Sequence, residues 1–251
     1  MIYIIFTFPP PDPKETPMKI DNAIALVTGA NRGIGLAFTR ALLARGARKV
    51  YAGARDPSTV RQAGVEPIRL DVTRPEDVAA AVARAGDVTL LINNAGVGHL
   101  GGFLAPDSEE VARRQLETNF FGMLRMSKAF APVLAAHGGG ALLNVLSIVS
   151  WMNGGQLAAY AASKSAAWSL TNALRHELAA QKTQVLALHM AFVDTDLVRA
   201  IDGPKTSPQD IVKRALDGLE AGLDEVLADE RTQLVKQGLT APVPSYLPQR
   251  T

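Results

Sequence analysis

Ile24-Ala25-Leu26-Val27-Thr28-Gly29-Ala30-Asn31-Arg32-Gly33-Ile34-Gly35 opens on a continuous apolar run and closes on three glycines. The run Ile24–Thr28 has the length of a strand buried on both faces, and helical periodicity sets in at Ile34 and lasts to Arg45. Strand, glycine loop and helix therefore follow one another directly. Glycines let the backbone turn tightly and approach a ligand with no Cβ in the way. The unpaired N–H groups and positive dipole end of the helix face the loop, as a pyrophosphate requires. The spacing is Gly-x-x-x-Gly-x-Gly rather than Gly-x-Gly-x-x-Gly, set in the strand–loop–helix context that gives such loops their meaning. A plain glycine turn is the bland reading. The context favours a dinucleotide site formed by Gly29, Asn31, Arg32, Gly33, Ile34 and Gly35.

Outward from this loop, apolar runs alternate with helical patterns. Strands are expected at Lys49–Gly53, Pro67–Leu70, Thr89–Asn93, Ala141–Leu146, Gln184–Met190 and Glu225–Ala228. Helices are expected at Pro75–Ala85, Ser108–Ala136, Tyr160–Ala180 and Pro208–Gly222. Uniformly apolar strands between helices predict a parallel sheet covered on both faces. The fold class is α/β: a single doubly wound, Rossmann-type domain with about seven strands, spanning residues 18–251. Residues 1–17 carry a short apolar run and five prolines and read as an irregular extension; residues 240–251, and the tail after Ala228 generally, also read as irregular.

Of the 251 residues, 47% are apolar, which argues for a globular interior. Basic and acidic residues number 26 and 24, with no dense basic stretch, so no nucleic-acid partner is expected. Cysteine is absent and the four histidines lack ligand spacing, so disulfides, thiol chemistry and a metal site are not expected. Seven apolar residues near the start cannot span a bilayer and lack the flanks of a secretory signal. A cytoplasmic protein without membrane contact is expected.

Tyr160 and Lys164 stand four residues apart within one helical pattern, so their side chains share a face. Ser147 lies thirteen residues before Tyr160, after a strand. A neighbouring ammonium favours the phenolate and is expected to lower the tyrosine pKa from its usual ~10. Such a group suits proton transfer in the interconversion of an alcohol and a carbonyl. A Tyr-x-x-x-Lys alone is weak, since most such pairs are helix surface.

With the glycine loop, the Ser/Tyr/Lys set resembles the short-chain dehydrogenase/reductase family, over roughly residues 20–228. The landmarks in order are Thr28-Gly29 with Gly33 and Gly35, Asp71, Asn93-Asn94-Ala95-Gly96, Asn119, Ser147, and Tyr160 with Lys164. Thr118-Asn119-Phe120-Phe121-Gly122 and Ala54-Arg55-Asp56 look most like its carbonyl reductases. The resemblance implies a catalytic set of Asn119, Ser147, Tyr160 and Lys164, with Lys164 also on the nicotinamide ribose and Asn119 holding a water. It implies cofactor contacts from Asp71 and Val72 to the adenine, from Asn93, Ala95 and Gly96 along the floor, and from Val193 and Thr195 near the nicotinamide. The family's common Pro-Gly is replaced here by Met190-Ala191. Homodimers or homotetramers on the two long helices are also implied.

Strand two should choose the dinucleotide, because an acidic residue at its end would repel a 2′-phosphate. Ala54 is followed by Arg55, and Arg32 lies in the loop, so two guanidiniums can grip a phosphate and NADPH is expected over NADH. Asp56 is the competing acidic candidate. Only twelve residues, 196–207, separate Thr195 from Pro208, which predicts a short lid and an open site. Val149, Trp151, Leu157 and Phe192 are the expected substrate wall, with Met152, Leu197 and His99 beside them. No charged residue occurs between Ile148 and Ala159, which points to apolar ketones or aldehydes and a broad reductase. The alternatives are a non-catalytic NADP(H) sensor on the same fold, which needs no proton relay, and a reductase of acyl thioesters or sugars, which needs a basic patch or polar wall.

Overall fold

The computed structural model describes residues 17–195 and 203–248. Most of the expected N-terminal extension, Leu197 and the greater part of the short lid lie outside these residues. Seven strands make one wholly parallel sheet: β1 (Ile24–Thr28), β2 (Lys49–Ala54), β3 (Glu66–Arg69), β4 (Leu90–Asn93), β5 (Ala141–Val145), β6 (Gln184–His189) and β7 (Glu225–Leu227). Their order is β3-β2-β1-β4-β5-β6-β7. The connections between successive strands carry helices α1 (Gly33–Ala44), α2 (Pro75–Arg84), α3 (Ser108–Leu116), α4 (Met123–Ala136), α5 (Ala158–Glu177) and α6 (Pro208–Glu220), except that from β2 to β3, which holds only a 3₁₀ turn at Pro57–Thr59.

Because side chains alternate along a strand, one sheet serves two cores. Ala25 and Val27 of β1 join Phe38 and Leu42 of α1 and Ile211 and Leu216 of α6 on one face. Ile24 and Leu26 join Val78 of α2, Met126 and Phe130 of α4 and Leu174 of α5 on the other. All five residues of β1 are buried, as are all five of β5, which explains their unbroken apolar reading. β3 is one of the two edge strands, and its Pro67 and exposed Arg69 suit that position.

Two elements depart from expectation. Ser108–Ala136 is not one regular helix: a π-helical segment at Glu117–Gly122 joins α3 to α4. The chain after Ala228 is not wholly irregular, because α7 (Glu230–Gln237) follows it. Asp229 caps α7, accepting from the Thr232 N–H at 2.8 Å.

Strand order reverses between β1 and β4, leaving a crevice above their carboxyl ends. There a cleft of about 1710 Å³ opens, running from the ends of β2 and β3 to those of β6 and β7.

Candidate active site

At the end of β1 the chain enters the left-handed region at Gly29, φ +64°, and passes straight into α1. A Cβ at Gly35 would lie 2.1 Å from the Gly29 carbonyl oxygen and 2.6 Å from Asn94 Nδ2, so no side chain fits. Asn94 is the reason for that crowding. Its Nδ2 donates to the carbonyls of Thr28 (2.9 Å) and Gly29 (3.1 Å), while Thr28 Oγ1 accepts from the N–H groups of Asn94 and Ala95, both at 2.9 Å. The β1 and β4 ends are thereby tied into one floor. α1 has no side-chain cap and no acidic residue in its first turn, which leaves its N-terminal donors to a ligand. Gly29, Asn31, Arg32, Gly33, Ile34 and Gly35 all border the cleft. The glycine cradle, the uncapped helix and the cleft's size fit a dinucleotide.

At the next strand ends, Arg55 follows β2 directly and lines the cleft with Asp71 and Val72. Asp56 also borders it, but its Oδ1 accepts from the Ser58 N–H at 3.0 Å and caps a short 3₁₀ turn. Asp71 accepts from Thr73 N (2.9 Å) and Oγ1 (2.7 Å). Burial opposes ionisation of Asp71, but the Thr73 hydrogen bonds, with Arg55 and Arg74 nearby, hold its carboxyl below the ordinary range. Ala95 and Gly96 line the floor beyond β4, and Val193 and Thr195 line the wall after β6. Thr195 Cγ2 would be 3.4 Å from a Cβ on Gly33, so this wall meets the glycine loop.

Ser147, Tyr160 and Lys164 converge where β5 ends and α5 begins. The Ser147 hydroxyl lies close enough to Tyr160 to favour its phenolate, and Ser147 Oγ accepts from Val149 N at 3.3 Å. Lys164 Nζ donates to the Val145 carbonyl at 2.8 Å and stands 5.8 Å from the centre of the Tyr160 ring. Burial pulls the Lys164 pKa down to about 8. The expected lowering of the Tyr160 pKa is not found. Burial pushes it up to about 12, only partly opposed by the neighbouring Ser147 hydroxyl, and the ammonium is directed at a carbonyl instead. Tyr160 in this state keeps its proton at neutral pH.

Three expected residues do not border the cleft. Asn93 turns inward, where its Nδ2 donates to Asn144 Oδ1 (2.9 Å) and Ser127 Oγ (3.1 Å), so it ties β4 to β5 and α4 rather than touching a cofactor. Asn119, buried in the π-helical segment, clamps Val97 through both backbone groups at 2.8 Å and donates to Ser163 Oγ at 2.8 Å. A Cβ on Gly96 would lie 3.3 Å from Asn119 Oδ1 and 3.8 Å from Lys164 Nζ, so the two flank Gly96. Trp151 is not part of the substrate wall. The 3₁₀ turn Ile148–Ser150 carries it behind the site, where it stacks on His189 with ring centres 4.0 Å apart and meets Trp168 edge-on at 6.5 Å. Trp168 is thus packed within its own chain. His189 is fully buried and held near a pKa of about 3, chiefly by burial, so it is neutral; its Nδ1 donates to the Ser147 carbonyl at 3.1 Å. Glu225, 3.5 Å from its Nε2, pairs with Lys236 at 2.9 Å instead.

Val149, Leu157 and Phe192, with Met152 and His99, border the cleft. The sequence reading missed Thr59 and Arg231, and reached Asn94 only through the resemblance. Without the resemblance Asn94 reads as a turn residue; Thr59, which accepts from Asn31 Nδ2 at 3.1 Å, carries no local signal. Arg231 belongs to the overlooked α7, and Asp229 followed by Glu230 was the helix-start pattern that could have disclosed it. Among the described residues no cluster of potential metal ligands occurs, and no helix is long and apolar enough to cross a membrane.

A family model described as short chain dehydrogenase matches residues 23–205. The 3-oxoacyl-(acyl-carrier-protein) reductase FabG of Escherichia coli (strain K12) is 32% identical over 193 residues, 73% of this chain and 79% of its own length. A short chain dehydrogenase from Burkholderia cenocepacia J2315, solved in complex with NADP, is 41% identical with a TM-score of 0.87, covering 90% of this chain and 95% of that one. A 3-ketoacyl-(acyl-carrier-protein) reductase from Brucella melitensis, solved with NADH, is 26% identical with a TM-score of 0.75, covering 85% of this chain and 100% of that one.

Proposed function

The chain belongs to the short-chain dehydrogenase family and is an oxidoreductase; on that premise we propose that it reduces a range of apolar ketones or aldehydes with NADPH. The observation that carries the reading is that Ser147 and Tyr160, with Lys164 one helical turn on, open into the same cleft as the glycine cradle. When bound, the reduced nicotinamide supplies a hydride to the carbonyl carbon. Ser147 donates a hydrogen bond to the carbonyl oxygen and stabilises the charge that builds there. Tyr160, protonated up to about pH 12, passes its proton to that oxygen. Lys164 holds a positive charge beside the resulting phenolate, and its fixed bond to Val145 keeps it in place. Asn119 acts as a positioning residue, bracing the Gly96–Val97 floor against α5.

The preference for NADPH rests on Arg55 and Arg32 bordering the cleft while the nearby Asp56 is engaged in its own turn. The choice of apolar carbonyls rests on Val149, Met152, Leu157 and Phe192. Assembly as a homodimer or homotetramer and a cytoplasmic location complete the proposal; exposed Phe121, in the segment between α3 and α4, favours the assembly. The test is loss of NADPH absorbance against aromatic, aliphatic and steroid-like carbonyls, repeated with NADH. Turnover of several, faster with NADPH, is expected. Strict turnover of a single compound, or an NADH preference, contradicts the reading.

A further inference from the structure

Arg231 borders the cleft after β7, away from Arg113 and Arg114 of α3, which also border it. It stands in the first turn of α7, and its guanidinium lies 5.2 Å from the centre of the Phe192 ring, a stacking distance. Its position is built rather than incidental. Asp229, the α7 cap, reaches across to accept from the Ala191 N–H at 2.7 Å, in the turn where Met190-Ala191 stands. The same carboxylate accepts from Thr232 N and Oγ1, both at 2.8 Å, so it is used up in holding α7 to the residue before Phe192. Arg231 itself has no carboxylate partner among the described residues.

Its place in the sheet says which ligand it faces. Arg55 stands at the end of β2, whereas Phe192 follows β6 and Arg231 follows β7. β2 and β6 are four strand spacings apart, or about 19 Å, with Ser147 at the end of β5 between them. Arg231 is thus on the far side of the reacting groups from the arginines assigned to the 2′-phosphate. The carboxylates that border the cleft are Asp56, Asp71 and Glu117. They stand after β2, after β3 and in the π-helical segment, engaged by Ser58, Thr73 and Arg125 respectively. None lies at the end bordered by Arg231.

We propose that Arg231 selects carbonyl substrates bearing an anionic group, carboxylate or phosphate, at the end of an apolar body. The body fits against Val149, Leu157 and Phe192, and the anion meets the oriented guanidinium in a charge-assisted pair. This rests on the carbonyl-reductase reading above and refines its substrate class.

The experiment compares kcat/KM for a benzoylalkanoate with that for its methyl ester, and for an oxoalkyl phosphate with its neutral alcohol. Wild-type protein, Arg231→Ala and Arg231→Lys are used. The expected acid-to-ester ratio is about tenfold in wild type, near one in Arg231→Ala and intermediate in Arg231→Lys, whose charge lacks the fork. A larger ratio in the phosphate pair identifies a phosphate, and a larger one in the acid pair a carboxylate. Equal turnover of acid and ester by wild type overturns the inference and leaves the carbonyl reductase standing. An Arg231→Ala loss that falls on KM for NADPH and is equal for acid and ester also overturns it, by placing the guanidinium on the cofactor. Absence of turnover with every carbonyl overturns both readings.

Discussion

The two ends of the cleft are built by different means. The end above β1–β4 is largely backbone: a positive-φ glycine, an uncapped helix, and carbonyls and N–H groups locked by Thr28 and Asn94. The end above β5–β7 is side chains from separate elements: Val149 from a 3₁₀ turn, Leu157 before α5, Phe192 after β6 and Arg231 from α7. A backbone cradle needs specific residues at fixed local spacing, whereas a side-chain wall needs only shape. The first is therefore rigidly specified and the second free to vary with substrate.

The junction should break hardest. Tyr160→Phe removes the proton donor at constant shape and is expected to lower kcat for reduction roughly a hundred- to ten-thousand-fold. Stopped-flow measurement of NADPH oxidation checks this, and the rate constant for cofactor binding should hardly move. Lys164 then sets the alkaline limb. Its pKa is depressed from 10.5 to about 8, so the ammonium is present below that pH and lost as pH rises through it. Reduction should fall above about pH 8 by roughly tenfold per unit, as one proton is lost. Tyr160, near 12, adds no limb in that window. A flat profile to pH 10 would detach Lys164 from the chemistry.

The two ends should then separate. Arg55→Ala is expected to shift the NADPH-to-NADH ratio of kcat/KM by about tenfold while leaving the order of preferred carbonyls intact. The smallest effect belongs to Trp151. Trp151→Phe keeps an aromatic ring to stack on His189 and, because it lies behind the site, is expected to change kcat/KM by about twofold at most while lowering stability through the lost ring volume. Leu157→Ala, which cuts into the wall itself, should cost a bulky ketone about tenfold. Equal losses in the two variants would return Trp151 to the substrate wall.

The same contrast explains what could be read in the sequence. The β1 loop and the Ser147, Tyr160 and Lys164 set announce themselves because local spacing fixes which face a side chain takes. Trp151 was misplaced because nearness in sequence to Ser147 says nothing about a 3₁₀ turn that points the indole backwards. Asn93 looked like floor, yet strand alternation sends it inward while Asn94 does the locking. The Tyr160 pKa could not be foreseen, since burial and the direction of Lys164 are tertiary facts. Arg231 was hidden with α7, a short polar helix whose weak periodicity competes poorly with the surrounding turns.

Titration of NADPH into wild type and Gly35→Ala puts the backbone cradle to the test. A Cβ at Gly35 would sit 2.1 Å from the Gly29 carbonyl oxygen and must force the loop apart. Wild type should bind one NADPH per chain, and Gly35→Ala should bind it at least about tenfold more weakly, with cooperative thermal unfolding retained. Equal affinity in the two proteins would mean that the cofactor is held elsewhere.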